Sequence, residues 1–153
     1  RAIGVKALIA VAALLATAAA PAPEGTLTVR VGNVRNASGR VHVDICPEAR
    51  FLKDGCPYSG AAPAVTGTTV VVVHGVAPGR YAIQAYHDEN RNGKVDRNFL
   101  GLPKEGVGFS NDAKIVLFPP RAPQWADAKL DFAGPTQTTM LNLRYFIGAS
   151  GPG

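Results

Sequence analysis

The sequence predicts an all-β fold, an antiparallel sandwich of two sheets built from about seven strands. Three observations carry that expectation. Apolar residues recur at every second position in several short segments, the period of a half-buried strand. Turn chemistry separates those segments, as in Asn36-Ala37-Ser38-Gly39 and Ala77-Pro78-Gly79. Beyond the N-terminal stretch, no segment shows a sustained apolar stripe at helical spacing.

The N-terminal stretch stands apart. Arg1 and Lys6 precede an unbroken apolar run, Ala7 to Leu15, and small residues follow at 16–20. That order of charge, apolar core and small residues is the layout of a secretory signal, assigned here to residues 1–22. The run is short for a bilayer span, and Pro21 and Pro23 follow at once, so no stable membrane span is expected after cleavage. No cysteine ends the run, which speaks against a lipid anchor. The expected location is periplasmic or extracellular.

The β-domain is assigned to 26–146 and a flexible tail to 147–153. Thr26 to Val31 alternates, with Leu27, Val29 and Val31 on one face. Arg40 to Ile45 alternates again, turning Val41, Val43 and Ile45 inward and leaving His42 and Asp44 on a solvated face. Cys46 to Pro63 has no period and reads as a loop with one helical turn near Ala49 to Phe51. Thr68 to Val73 is β-branched throughout and reads as a strand buried on at least one face. Pro78-Gly79 presets a turn into the strand Tyr81 to Tyr86, and Tyr81 can bury its ring while bonding a neighbouring connection, as in a tyrosine corner. Lys114 to Phe118, Ala128 to Phe132 and Thr138 to Tyr145 complete the strands.

Cys46 and Cys56 are the chain's two cysteines. In an exported chain they are expected to form a disulfide. A zinc pair would need two further ligands, and none lies near them. The net charge of +5 falls to +3 when Arg1 and Lys6 are set aside. So mild a balance, with scattered basic residues and few aromatics between them, argues against nucleic acid as a partner.

The chemistry concentrates in 88–105. Asp88, Asn90 and Asn92 place oxygen-bearing side chains at alternate positions, Gly93 allows a sharp bend, the Lys94 carbonyl can turn inward, and Asp96 adds a second carboxylate. These match positions 1, 3, 5, 6, 7 and 9 of a calcium loop. The twelfth position is Phe99, where a bidentate Glu belongs, and no helices flank the loop, so an EF-hand is excluded. Glu105 is the expected completing ligand; Glu89 and Asp112 are weaker choices. With so few carboxylates the expected dissociation constant is about 0.1–1 mM. Two rival readings stand beside calcium: an Asx-rich turn satisfied by its own backbone, and a transition metal recruited through His87. For catalysis the sequence offers little. The three histidines lie on separate segments, and no Ser or Cys sits in a nucleophile elbow. A non-catalytic protein is expected.

Tyr81 to Asp88, Asn90 to Asp96 and, most specifically, Phe99 to Asn111 resemble the bacterial family known as domain of unknown function 2141. The resemblance runs from about Thr26 to Arg144 and implies a small, exported, β-rich protein. The chain departs from the family pattern in the Cys46–Cys56 loop and the apolar run Ile115 to Phe118. The sandwich is also similar to immunoglobulin- and transthyretin-like domains, which include hydroxyisourate hydrolases. Those carry a Tyr-Arg-Gly-Ser tail and paired histidines, whereas this chain reads Arg144-Tyr145-Phe146-Ile147-Gly148, so that activity does not transfer. The reading that results is a calcium-bearing envelope module that binds a protein or glycan or serves as a scaffold. The alternative is a small periplasmic hydrolase using His87 with Asp88 or Glu105. Oligomeric state is not legible.

Overall fold

A computed structural model describes Gly4, residues 9–14, Ala20 and residues 22–153. Most of the expected signal segment lies outside the described residues. Among these, the strands are β1 (Gly25–Val34), β2 (Arg40–Cys46), β3 (Tyr58–Pro63), β4 (Gly67–Val76), β5 (Gly79–Asp88), β6 (Val107–Phe109), β7 (Val116–Leu117), β8 (Pro120–Arg121), β9 (Leu130–Phe132) and β10 (Thr136–Asn142). A four-residue helix, α1 (Trp125–Ala128), and two single 3-10 turns complete the elements. No described helix is long and apolar enough to cross a membrane.

Two main sheets result. One has the order β10-β1-β4 and the other β3-β2-β5-β6, with β9 also paired to β5. β1 runs antiparallel to β4 but parallel to β10, which corrects the expectation of a purely antiparallel sandwich. The connection from β9 enters β10 from the end that places Thr136 opposite Thr26, so the last strand copies the direction of the first.

The alternation read from sequence sets the core. Leu27, Val29 and Val31 of β1 and Val71 and Val73 of β4 meet Val41, Val43 and Ile45 of β2 and Ile83 of β5 in one buried cluster. Val70 and Val72 face outward, as a period of two requires. Tyr81 behaves as a tyrosine corner: its hydroxyl donates to the Ala77 carbonyl at 2.6 Å. Burial, followed by the neighbouring Tyr58, pushes that hydroxyl's pKa up to about 12.

Three expectations need correction. The segment 58–63 is not loop but β3, an edge strand of small residues beside β2; Gly60 and the alanines hide the period that larger side chains would display. The apolar run 114–118 contributes no core strand. Only Val116 and Leu117 pair, with Arg121 and Pro120, in a separate two-stranded hairpin. The tail 147–153 is tied to the domain: Arg35 donates to the Ile147 and Ala149 carbonyls, and Asn33 bonds Ser150 and the Gly153 amide.

A disulfide joins Cys46 to Cys56. It closes the connection between β2 and β3 and pins its 3-10 turn to the sheet. Reducing it is expected to lower the unfolding free energy by about 2–3 kcal/mol, the entropy of closing so short a loop. Paired denaturation curves with and without reductant measure the difference.

Candidate functional site

Successive strand residues face opposite sides, so β5 delivers its last two side chains to different environments. His87 turns inward and is fully buried. Its Nε2 lies 2.7 Å from the Ser38 carbonyl and its Nδ1 lies 2.9 Å from the Tyr145 hydroxyl. A carbonyl only accepts, which places the proton on Nε2. Nδ1 therefore accepts from Tyr145, whose oxygen in turn accepts from the Arg35 amide at 3.0 Å. Arg35 also stacks over the Tyr145 ring at 4.5 Å and pairs with Glu89 at 2.5 Å. Glu89 takes a further bond from Asn36 and is committed to this network. Gly106 permits it: a Cβ there would sit 2.5 Å from the Tyr145 ring.

Asp88 points the other way, into the loop, and is likewise buried. Its Oδ1 accepts from the Asn92 amide at 3.0 Å, and its Oδ2 accepts from the Gly93 amide at 2.9 Å. The bend expected at Gly93 is present, with φ +76°. His42, expected on a solvated strand face, is instead half-buried; its Nε2 stands 3.3 Å from Asp88 Oδ2 and its ring stacks on Tyr86 at 4.8 Å.

The remaining loop side chains close on one another. Asn90 Nδ2 donates to Asp96 Oδ2 at 2.7 Å, and Asn92 Nδ2 donates to both Asp96 oxygens at 2.8 and 2.7 Å. Those two amides hold the Asp96 carboxyl below the usual carboxylate range. The Lys94 amide donates to Asn92 Oδ1 at 3.1 Å. Glu105 folds back beneath the loop. Its oxygens accept from the Glu89 amide at 3.2 Å and, more weakly, from the Asp96 amide at 3.5 Å.

Burial raises the Glu105 pKa above its ordinary value, and the charges of Asp88 and Asp96 add to the rise, against its backbone hydrogen bonds. Burial also carries the Tyr86 hydroxyl up to about 12, with Asp88, Asp44 and Glu105 as further causes. Burial is the larger cause of both shifts, and the neighbouring carboxylates add to it. As the side chains stand, no three described His, Cys, Asp or Glu groups are placed to hold one metal ion together.

The other candidates have structural partners. Asp112 accepts from the Asn142 amide and side chain, away from the loop. Ser110 donates to the Ala128 carbonyl and accepts from the Ile83 amide at 2.9 Å, while Asn111 donates to the Asp127 and Lys129 carbonyls. The segment 109–111 thus ties β5 to α1 and to the residue that follows it, Lys129. Sequence reasoning missed Arg35, Ser38, His42 and Tyr145, which come from distant segments and carry no local spacing.

A family model described as an uncharacterized protein conserved in bacteria (DUF2141) matches residues 29–140. No curated protein and no solved structure matches the chain.

Proposed function

The chain belongs to that family, DUF2141, and from this premise we propose that it is an exported, non-catalytic sandwich of immunoglobulin/transthyretin-like type whose 88–105 region binds calcium. The carrying observation is the closed ring of Asp88, Asn90, Asn92 and Asp96 around the Gly93 bend, with the Glu105 carboxylate buried behind it. An Asp whose oxygens accept amides four and five residues on is the anchor such an ion-wrapping loop needs. At present the Asn90 and Asn92 amides supply the positive partner of Asp96 through their NH2 groups. Turning each amide presents its oxygen instead, and the ion takes over the positive role. The Lys94 carbonyl then serves as the backbone ligand. Burial is the main reason the Glu105 pKa is raised, and calcium offsets the smaller part that the Asp88 and Asp96 charges add.

The calcium-filled loop is ordered and presents a fixed surface to a cell-envelope protein or glycan. The Cys46–Cys56 disulfide is consistent with an oxidising compartment. A hydrolase using His87 finds less support: both ring nitrogens are engaged, the ring is buried, and Asp88 lies on the opposite face of β5. The same engagement speaks against a transition metal at His87.

Thermal melts test the calcium reading. Calcium at about ten times its dissociation constant is expected to add about 1.4 kcal/mol over chelator, a rise in midpoint of about 5 °C for a domain of this size. An unchanged midpoint leaves a loop that folds on its own hydrogen bonds.

A further inference from the structure

Two turns near the loop carry residues that turn chemistry does not explain. Asn98 to Gly101 is a closed β-turn: the Gly101 amide donates to the Asn98 carbonyl at 2.9 Å, and Asn98 Oδ1 accepts from the Leu100 and Leu102 amides at 3.0 Å each. Its two central residues are Phe99 and Leu100, 96% and 70% exposed. The β7–β8 hairpin turns through Phe118 and Pro119, and Phe118 is 91% exposed. Central turn positions favour Gly, Asn, Asp or Pro. Here two aromatic rings and a leucine are held in water on turns fixed by backbone bonds.

The two turns share one hollow of about 480 Å³ whose walls include Leu100, Leu102, Ile115, Phe118, Arg97 and Arg121. Charge gathers on the same segments. Residues 91–104 and 113–122 carry six basic side chains (Arg91, Lys94, Arg97, Lys104, Lys114, Arg121) against the single carboxylate Asp96. The rest of the chain carries ten basic and ten acidic residues, so these two segments hold the whole net charge of +5.

We infer that these tips are a docking surface for an anionic phospholipid bilayer. Phe99, Leu100 and Phe118 enter the headgroup region while Arg97 and Arg121 pair with lipid phosphates. Neither apolar insertion nor basic charge alone holds a protein at a membrane, and the combination does. Leu102 and Ile115 line the hollow half-buried, whereas the Phe99 and Phe118 rings project almost free of the protein, as entry into a headgroup layer requires. The surface stands without the calcium reading, because the Asn98 turn is closed by its own bonds.

Vesicle sedimentation in chelator tests it, using neutral phosphatidylcholine alone and with about a third phosphatidylglycerol. Binding is expected to the anionic vesicles only, and to be lost between about 0.1 M and 1 M salt as screening tightens. The doubly substituted Phe99→Ser, Phe118→Ser protein should bind at least ~10-fold more weakly. Arg97→Gln and Arg121→Gln should each cost about fivefold, and Arg30→Gln, on the solvent-exposed face of β1, should cost nothing. Melting midpoints matching the parent's confirm that the variants fold. Equal binding to both vesicle types, no binding, or binding indifferent to the two Phe substitutions overturns the inference. So does self-association that the Phe substitutions abolish without any vesicle binding, which would assign the surface to a second copy.

Discussion

His87→Ala is expected to lower the unfolding free energy by about 3–5 kcal/mol, with no effect on the calcium response. The substitution removes a fully buried ring and leaves a cavity between the β1–β2 turn and the C-terminal segment. It also strips the Ser38 carbonyl of its donor and the Tyr145 hydroxyl of its acceptor. Tyr145→Phe keeps the ring stacked under Arg35 and loses only the hydroxyl bonds, so it should cost about 1–2 kcal/mol. Urea denaturation measures both, provided the slope is unchanged. A loss below about 1 kcal/mol for His87→Ala would mean that the network does not hold the fold together. The same variant bears on catalysis, because a hydrolase depending on this imidazole would lose turnover at denaturant-free conditions where the protein is still folded.

The contrast between His87 and Asp88 also shows what the sequence could reveal. Period-two alternation named the inward faces of β1 and β2 residue by residue, because branched apolar side chains such as Val29 and Val41 mark them, whereas β4 is β-branched on both faces and could be read only as a strand. β3 escaped because Ser59, Gly60, Ala61 and Ala62 have too little side chain to show which face is which. The direction of β10 was equally hidden: a strand reads the same whether its partner runs parallel or antiparallel. At the loop, the Asp-Asn-Asn-Gly-Asp spacing predicted the local bends, since those are made within a few residues. The partners of His87 were not legible, because Ser38 and Tyr145 stand 49 and 58 residues away. His42 failed for the reverse reason. Its strand position pointed outward, but the returning loop covers that face and turns a solvated side chain into the neighbour of Asp88.

Asp88→Ala should produce the largest change of any loop substitution. In chelator it frees the Asn92 and Gly93 amides, and it is expected to cost about 2–3 kcal/mol, since both turn partly to water. With calcium at about a hundred times the parent's dissociation constant, the parent gains about 2.7 kcal/mol and the variant nothing. The gap between them then widens to about 5 kcal/mol. Asp88→Asn separates the two contributions. Its amide oxygen can still accept one backbone bond, so the apo cost should fall to about 1 kcal/mol, while the lost charge removes most of the calcium gain. Glu105 works in the same direction. Its raised pKa means that ionised Glu105 destabilises the folded form, a cost absent below the unfolded carboxylate's pKa and incurred as pH rises through the folded value. Burial is the larger part of that cost; taking away the Asp88 charge relieves the smaller, coulombic part, which helps keep the apo cost of Asp88→Asn small. Melts of the three proteins with calcium and with chelator decide the matter. A full calcium gain retained by Asp88→Asn would remove Asp88 from the ligand set, and an undiminished apo midpoint in Asp88→Ala would remove it as the anchor of the bend.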